Sequence, residues 1–137
     1  MTDYKVVDDI NSVEKLRRYA YGFSEDINKF YINSLTNKTM IAIGVYIDGI
    51  LVGAAYVSSY LTSLYIENIF VDKEYRNNKV ATNLIKYVIT NKDFFEAFFG
   101  KKFITSKLEP NSYEIINLYE RLGYSEPNSF NIMNKRI

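Results

Sequence analysis

The sequence predicts an α/β fold: a mixed, mostly antiparallel central sheet with helices on both faces. Two apolar, partly β-branched runs, Met40 to Ile47 and Ile50 to Tyr60, flank Asp48-Gly49. That pair suits a type I′ hairpin turn, which needs positive φ at both central residues. Ahead of the hairpin, apolar residues recur at helical spacing. After Val71 helical and extended patterns alternate, as in βαβ units. The 137 residues fit one domain spanning 1–137.

In order, Tyr4 to Val7 reads as a short strand. Asn11 with Glu14 three residues on forms a capping-box pattern opening a helix to about Tyr21, with Val13, Leu16, Tyr19 and Ala20 on one face. Ser24 is placed to cap a second helix carrying Ile27, Phe30, Tyr31 and Leu35. The hairpin follows, then a third strand, Leu64 to Val71, expected to be antiparallel as well. A polar stretch, Asp72 to Lys79, leads into a helical stripe of Ala81, Leu84, Ile85 and Val88. The stripe falters near Asn91. Asp93 and Glu96 suggest a second capping box and a short extra helix ending at Gly100. Phe103 to Leu108 is extended, Pro110 to Ser112 turns, and Tyr113 to Leu122 is helical with Gly123 as a left-handed cap. Ser129 to Met133 is expected as a last strand beside Phe103 to Leu108. Apart from the short extra helix, the order is β-α-α-β-β-β-α-β-α-β.

Composition removes whole classes of chemistry. With 17 basic and 16 acidic residues the formal net charge is +1, so a nucleic-acid partner is not expected. The chain has no Cys and no His. Disulfides, thiol nucleophiles, Ser-His triads, imidazole bases and Cys/His metal sites are therefore excluded. A general base must be a carboxylate, a Tyr, a Lys or ordered water. Met1-Thr2-Asp3-Tyr4-Lys5 lacks a signal-peptide pattern, and no apolar run has the length of a membrane span. The expectation is a cytoplasmic protein with no membrane partner and no metal.

The segment from Tyr65 to Leu84 joins a strand, a short polar loop and a helix start. Unpaired amides at a helix N-terminus, with the dipole behind them, form an anion site. Arg76 and Lys79 add positive charge, and the small side chain of Ala81 permits close approach to the backbone. Taken alone, the segment is a candidate pyrophosphate cradle or an ordinary strand-loop-helix connection.

Within this segment Val71, Tyr75, Arg76 and Ala81 fall in the pattern Val-x-x-x-Tyr-Arg/Gln-x-x-Gly-x-Gly/Ala. Downstream, Leu118-Tyr119-Glu120-Arg121-Leu122-Gly123-Tyr124 matches Leu-Tyr-x-x-x-Gly-Phe/Tyr. Together these resemble the acetyl-CoA-binding motif and the late helix of the GNAT superfamily of N-acetyltransferases, over roughly the second half of the chain. The first half agrees in element order. The resemblance implies a GNAT-like domain with acetyl-CoA as cosubstrate, bound between the Leu64–Val71 and Phe103–Leu108 strands. Backbone groups of Ile69, Phe70 and Val71 would meet pantetheine. Arg76 and amides of Asn77, Asn78, Lys79, Val80, Ala81 and Thr82 would hold pyrophosphate. Lys79 stands where the family usually has Gly and Asn77 where it often does. Asn tolerates a left-handed backbone; Lys79 would either crowd the turn or serve the phosphates. Ser112 stands where the family often has Asn. It can still cap the helix, with one pantetheine contact in question. The stretch from Asn91 to Gly100 looks like an insertion.

The resemblance also suggests catalytic roles. Tyr119 matches the family's general acid, which protonates the departing thiolate; otherwise it is a core Tyr on an amphipathic helix. Glu67 lies where several similar enzymes have the base that deprotonates the amine; otherwise it is a solvated strand residue. Strand alternation puts Glu67 on the face of Tyr65, Ile69 and Val71 unless a bulge resets the register. The expected reaction is direct transfer of acetyl to a primary amine of a small molecule or protein. The alternative is an acyl-CoA-binding sensor or interaction module without catalysis, favoured by Lys79 in place of Gly. The helices around Tyr21 to Phe30 would wall the acceptor site. Phe94, Phe95, Phe98 and Phe99 exceed what one helix face buries, making a candidate homodimer contact.

Overall fold

The computed structural model describes residues 1–76 and 79–137. Its elements are β1 (Thr2–Val6), α1 (Ile10–Tyr21), α2 (Glu25–Thr36), β2 (Met40–Ile47), β3 (Ile50–Tyr60), β4 (Ser63–Val71), α3 (Val80–Thr90), α4 (Lys92–Phe99), β5 (Thr105–Leu108), α5 (Tyr113–Arg121) and β6 (Met133–Arg136). A single 3₁₀ turn, Lys73–Tyr75, lies between β4 and α3. The six strands form one sheet in chain order. Neighbours are antiparallel except β4 and β5, which are parallel and joined through α3 and α4. At the β2–β3 turn Asp48 and Gly49 have φ of 50° and 82°, the type I′ signs.

Side-chain alternation gives each sheet face its own core. On one face Val13 and Leu35, from α1 and α2, pack over Met40, Ala42, Ala54, Tyr56 and Phe70. On the other, Leu84, Ile85 and Val88 of α3, Phe95 of α4 and Tyr119 of α5 pack over the remaining sheet residues. Gly53 lets α3 come close. A Cβ there would lie 3.0 Å from Val80 and 3.2 Å from the Phe70 carbonyl.

Two bulges break the alternation. Val45 pairs with Gly53 but Tyr46 with Leu51, leaving Val52 as an extra residue in β3. Tyr56 pairs with Asn68 but Val57 with Ile66, leaving Glu67 as an extra residue in β4. Leu64 and Ile66 can therefore share a core with Ile69 and Val71 despite the odd spacing.

Several local expectations change. The cap of α1 is Asp9, whose carboxylate accepts from Asn11 N at 3.1 Å and Ser12 N at 3.2 Å. The Ser12 hydroxyl and these amides hold that carboxyl below its usual pKa. Glu14 thus serves no capping box and is buried, as is Arg17, while Tyr19 faces solvent. Glu96 does not cap α4 either; it accepts from Phe103 N at 2.8 Å, which lowers its pKa, and Asn91 precedes the helix. Ser24 and Ser112 precede α2 and α5 without a side-chain cap bond. On α2, Ile27 and Phe30 are exposed. Of the four α4 phenylalanines, Phe95 is buried, Phe98 and Phe99 pack on its cluster, and Phe94 is exposed. The cluster is chiefly core. The last strand starts at Met133, later than expected, because Asn128 Oδ1 accepts from Phe130 N and Ile132 N and Asn131 has φ of 60°. These turns use up the extended-looking residues.

Candidate active site

The sheet splays where β4 and β5 part. Their pairing runs from Ser63–Thr105 to Ile66–Leu108 and stops. The Glu67 bulge follows on one strand and Pro110, without an N–H, on the other chain segment. Beyond that point the β4 edge facing β5 is free. Alternation in the antiparallel β3–β4 pair sends the Phe70 peptide groups to β3 and those of Ile69 and Val71 to the free edge. Both carbonyls there have partners: Ile69 O accepts from the Tyr21 hydroxyl at 2.5 Å and Val71 O from Arg76 Nε at 3.1 Å.

A cleft of about 500 Å³ runs along this edge. The start of α3 forms one end. Asn83 N donates to Lys79 O at 2.9 Å, so the amides of Val80, Ala81 and Thr82 precede the first intrahelical bond. Lys79 has φ 60° and ψ 22°, a left-handed conformation. A non-glycine residue there costs on the order of 1 kcal/mol. The turn keeps the backbone geometry that glycine would adopt and gains a cation. Ile69, Val71, Arg76, Lys79, Val80, Ala81, Thr82 and Ser112 all line the cleft. Arg76 and Lys79 are its charged lining residues, and no carboxylate faces it among the described residues.

A second cavity of about 220 Å³ lies deeper in the splay. It brings Glu67 of β4 and Tyr119 of α5 to one space, together with Glu109. It has no basic lining residue among those described. Desolvation raises the pKa of Glu67, the Ser58 hydroxyl partly offsetting it. The Glu67 charge in turn helps raise the pKa of Tyr31 and Tyr65, though desolvation dominates both. Glu67 is therefore oriented with Tyr65 and does not share the core face of Ile69 and Val71, because of the bulge at its own position. Tyr119 is 3% exposed; burial first, then Tyr21 and Tyr124, pushes its phenol well above the usual range. Its ring is held in the core while its edge reaches the cavity.

Tyr21, Ile69 and Asn111 line both cavities. Asn111 Nδ2 donates to the Tyr21 hydroxyl, which itself donates to Ile69 O, so the three form a hydrogen-bonded partition. Sequence reasoning put the Tyr21 region at the wall of the site without giving Tyr21 itself a role, and missed Asn111 and Glu109. Tyr21 ends a helix far back in the chain, and no local pattern separates it from the other tyrosines. Phe70 does not line the cleft; its side chain is buried against Tyr56 on the other face. Asn77 and Asn78 lie outside the described residues. Among the described residues no group of three Asp or Glu side chains is placed to hold a metal ion, and no helix is long and apolar enough to cross a membrane.

The site sets a cationic strand-loop-helix connection beside a splayed strand pair in an α/β fold. The profile of the Acetyltransferase (GNAT) family matches residues 7–124. The chain belongs to this acetyltransferase family. No curated protein sequence matches it. Solved structures similar in fold include the ribosomal-protein-S18-alanine N-acetyltransferase from Escherichia coli, with TM-score 0.78 and 19% identity over 100% of this chain and 94% of that one. The PaiA N-acetyltransferase from Thermoplasma acidophilum, in complex with coenzyme A, has TM-score 0.69 and 13% identity over 100% and 99%. An aminoglycoside 6′-N-acetyltransferase complexed with coenzyme A has TM-score 0.72 and 16% identity over 98% and 96%.

Proposed function

We propose that the chain, as a single domain, transfers an acetyl group from acetyl-CoA to a primary amine that arrives as a cation. The observation that carries this is the meeting of two cavities of opposite charge, one lined by Arg76 and Lys79 and the other by Glu67 and Glu109. The cationic cleft suits the pyrophosphate of acetyl-CoA, with the amides of Val80, Ala81 and Thr82 and the Arg76 and Lys79 charges as its partners. The free edge at Ile69 and Val71 suits the amides of the pantetheine arm, as an added strand would. The anionic cavity suits an ammonium group.

Acetyl-CoA supplies the thioester; the residues of this chain supply proton management. Glu67 takes a proton from the ammonium, directly or through water, so that the nitrogen lone pair can attack the carbonyl carbon. A raised carboxyl pKa makes it a better base for this task. As the C–S bond breaks, Tyr119 protonates the leaving sulfur. The attacking nitrogen sheds its second proton, which returns through water to the Tyr119 phenolate, and Glu67 gives its proton to solvent; the products are the amide and free CoA. No acyl-enzyme forms on cysteine, since the chain has none. Lys79 favoured the non-catalytic module only as an obstruction; its left-handed conformation at the helix start supports a binding role instead.

The test is thiol release from acetyl-CoA across a panel of amines, with calorimetry of acetyl-CoA binding. Amine-dependent release supports the enzyme. Tight binding without release on any amine supports the module.

A further inference from the structure

The two cavities adjoin at the Tyr21–Ile69–Asn111 partition, and the mechanism above gives Tyr21 no task. Tyr21 ends α1, and its hydroxyl spans from the free edge of β4 to the loop between β5 and α5. The Ile69 carbonyl it occupies faces the cleft edge where an extended amide-bearing arm would seek an acceptor. The side chains proposed to handle protons, Glu67 and Tyr119, lie beyond it. An acetyl group entering from the cleft must pass this boundary to reach them.

We propose that Tyr21 is a positioning residue that closes the wall between the cleft and the acceptor cavity until acetyl-CoA takes the Ile69 carbonyl from it. The inference rests on the cleft being the acetyl-CoA site. The hydroxyl and an incoming amide N–H compete for one edge-facing acceptor, and binding requires the fraction of molecules in which the hydroxyl has let go. A neutral hydrogen bond of ordinary net strength sets the size of this effect. Asn111 holds the hydroxyl in place by donating to it, so its loss loosens the same wall.

Tyr21→Phe keeps the ring and removes only the bridge; Asn111→Ala removes the brace. The full chain and its variants are titrated with acetyl-CoA by calorimetry, and CoA release is followed with an amine present. In Tyr21→Phe, acetyl-CoA binding should tighten about three- to tenfold. With an amine present, KM for acetyl-CoA should fall more than kcat changes. Asn111→Ala should move the same quantities in the same direction by less. Wild-type acetyl-CoA affinity in Tyr21→Phe would overturn the wall, even with a lowered melting temperature. If the wild-type chain itself binds no acetyl-CoA, the assignment of the cleft fails and the wall with it.

Discussion

The Tyr56 hydroxyl donates a 2.5 Å hydrogen bond to the Glu14 carboxylate, fastening α1 to the middle of β3. Arg17 Nε reaches both Glu14 oxygens at 2.9 Å, and its guanidinium lies 4.9 Å from the centre of the Tyr31 ring. This buried network fixes α1 against the sheet, and the helix is capped one residue after Tyr21, at Gly22, whose φ is 89° and whose N–H donates to Arg18 O. Burial, reinforced by the Glu14 charge, pushes the Tyr56 phenol far above its usual range, so the phenol stays a donor.

Arg17→Ala leaves the Glu14 carboxylate buried without its cation. It should destabilise the protein by about 3–5 kcal/mol, read as a lower denaturation midpoint in urea. The paired change Glu14→Leu with Arg17→Met should recover only part of that loss, because it removes both charges but leaves the buried Tyr56 hydroxyl without its acceptor.

Glu67→Gln should lower turnover strongly at neutral pH, with partial recovery at higher pH as more amine is neutral unaided. Its effect on stability has the opposite sign. A carboxyl whose folded pKa is raised holds its proton more tightly when folded. Its contribution is present below the unfolded value of about 4.3 and is lost as pH rises through the higher folded value. The Gln variant should therefore melt higher than wild type at neutral pH and no differently near pH 3. Full activity across the pH range would remove Glu67 as the base.

Tyr119→Phe retains the packed ring and loses the proton donor. Acetyl-CoA affinity should stay nearly unchanged while kcat falls about ten- to a thousandfold. Wild-type turnover would make the phenol a packing group.

Lys79→Gly separates backbone from charge. Relief of the left-handed conformation should raise stability by about 1 kcal/mol, set against the greater backbone freedom of unfolded glycine. If Lys79 serves the phosphates, acetyl-CoA affinity should fall and its salt dependence should shrink. Ala81→Val should weaken binding without unfolding the chain, since position 81 faces the cleft. Calorimetry at two salt concentrations reads both variants.

Glu109→Gln removes one of the two carboxylates lining the acceptor cavity. KM for a cationic amine should rise about three- to tenfold, the scale of a partly exposed charge contact of about 1 kcal/mol. Acetyl-CoA affinity should hold. An unchanged KM would place the amine elsewhere.

Local rules written in adjacent residues were legible in the chain. The bounds of β2 and β3 follow from apolar runs around Asp48-Gly49, because a two-residue turn leaves no choice of register. The grouping of Arg76, Lys79 and Ala81 at a helix start was legible, and all three line the cleft. Glu67 and Tyr119 were singled out by the resemblance to the family pattern, while the absence of His and Cys narrowed the residue types open to proton transfer.

Tertiary structure decided which local offers were taken. Glu14 and Glu96 both sit in capping-box spacing. Asp9 supplies the first helix cap, and Arg17 and Tyr56 give Glu14 stronger, charge-assisted partners inside the protein; Phe103 N–H takes up Glu96. The direction of Glu67 depended on a bulge that exists only in the pairing of β4 with β3. The wall of Tyr21, Ile69 and Asn111 joins three segments distant in sequence, and a hydrogen bond between such segments leaves no periodic trace in any of them. Sequence alone determined most of the elements and the residue types open to proton transfer, because propensity, turn chemistry and residue type act over a few neighbours. Folding alone decided the faces, the partners and the meeting of two oppositely charged cavities, because each depends on which distant segments share one space.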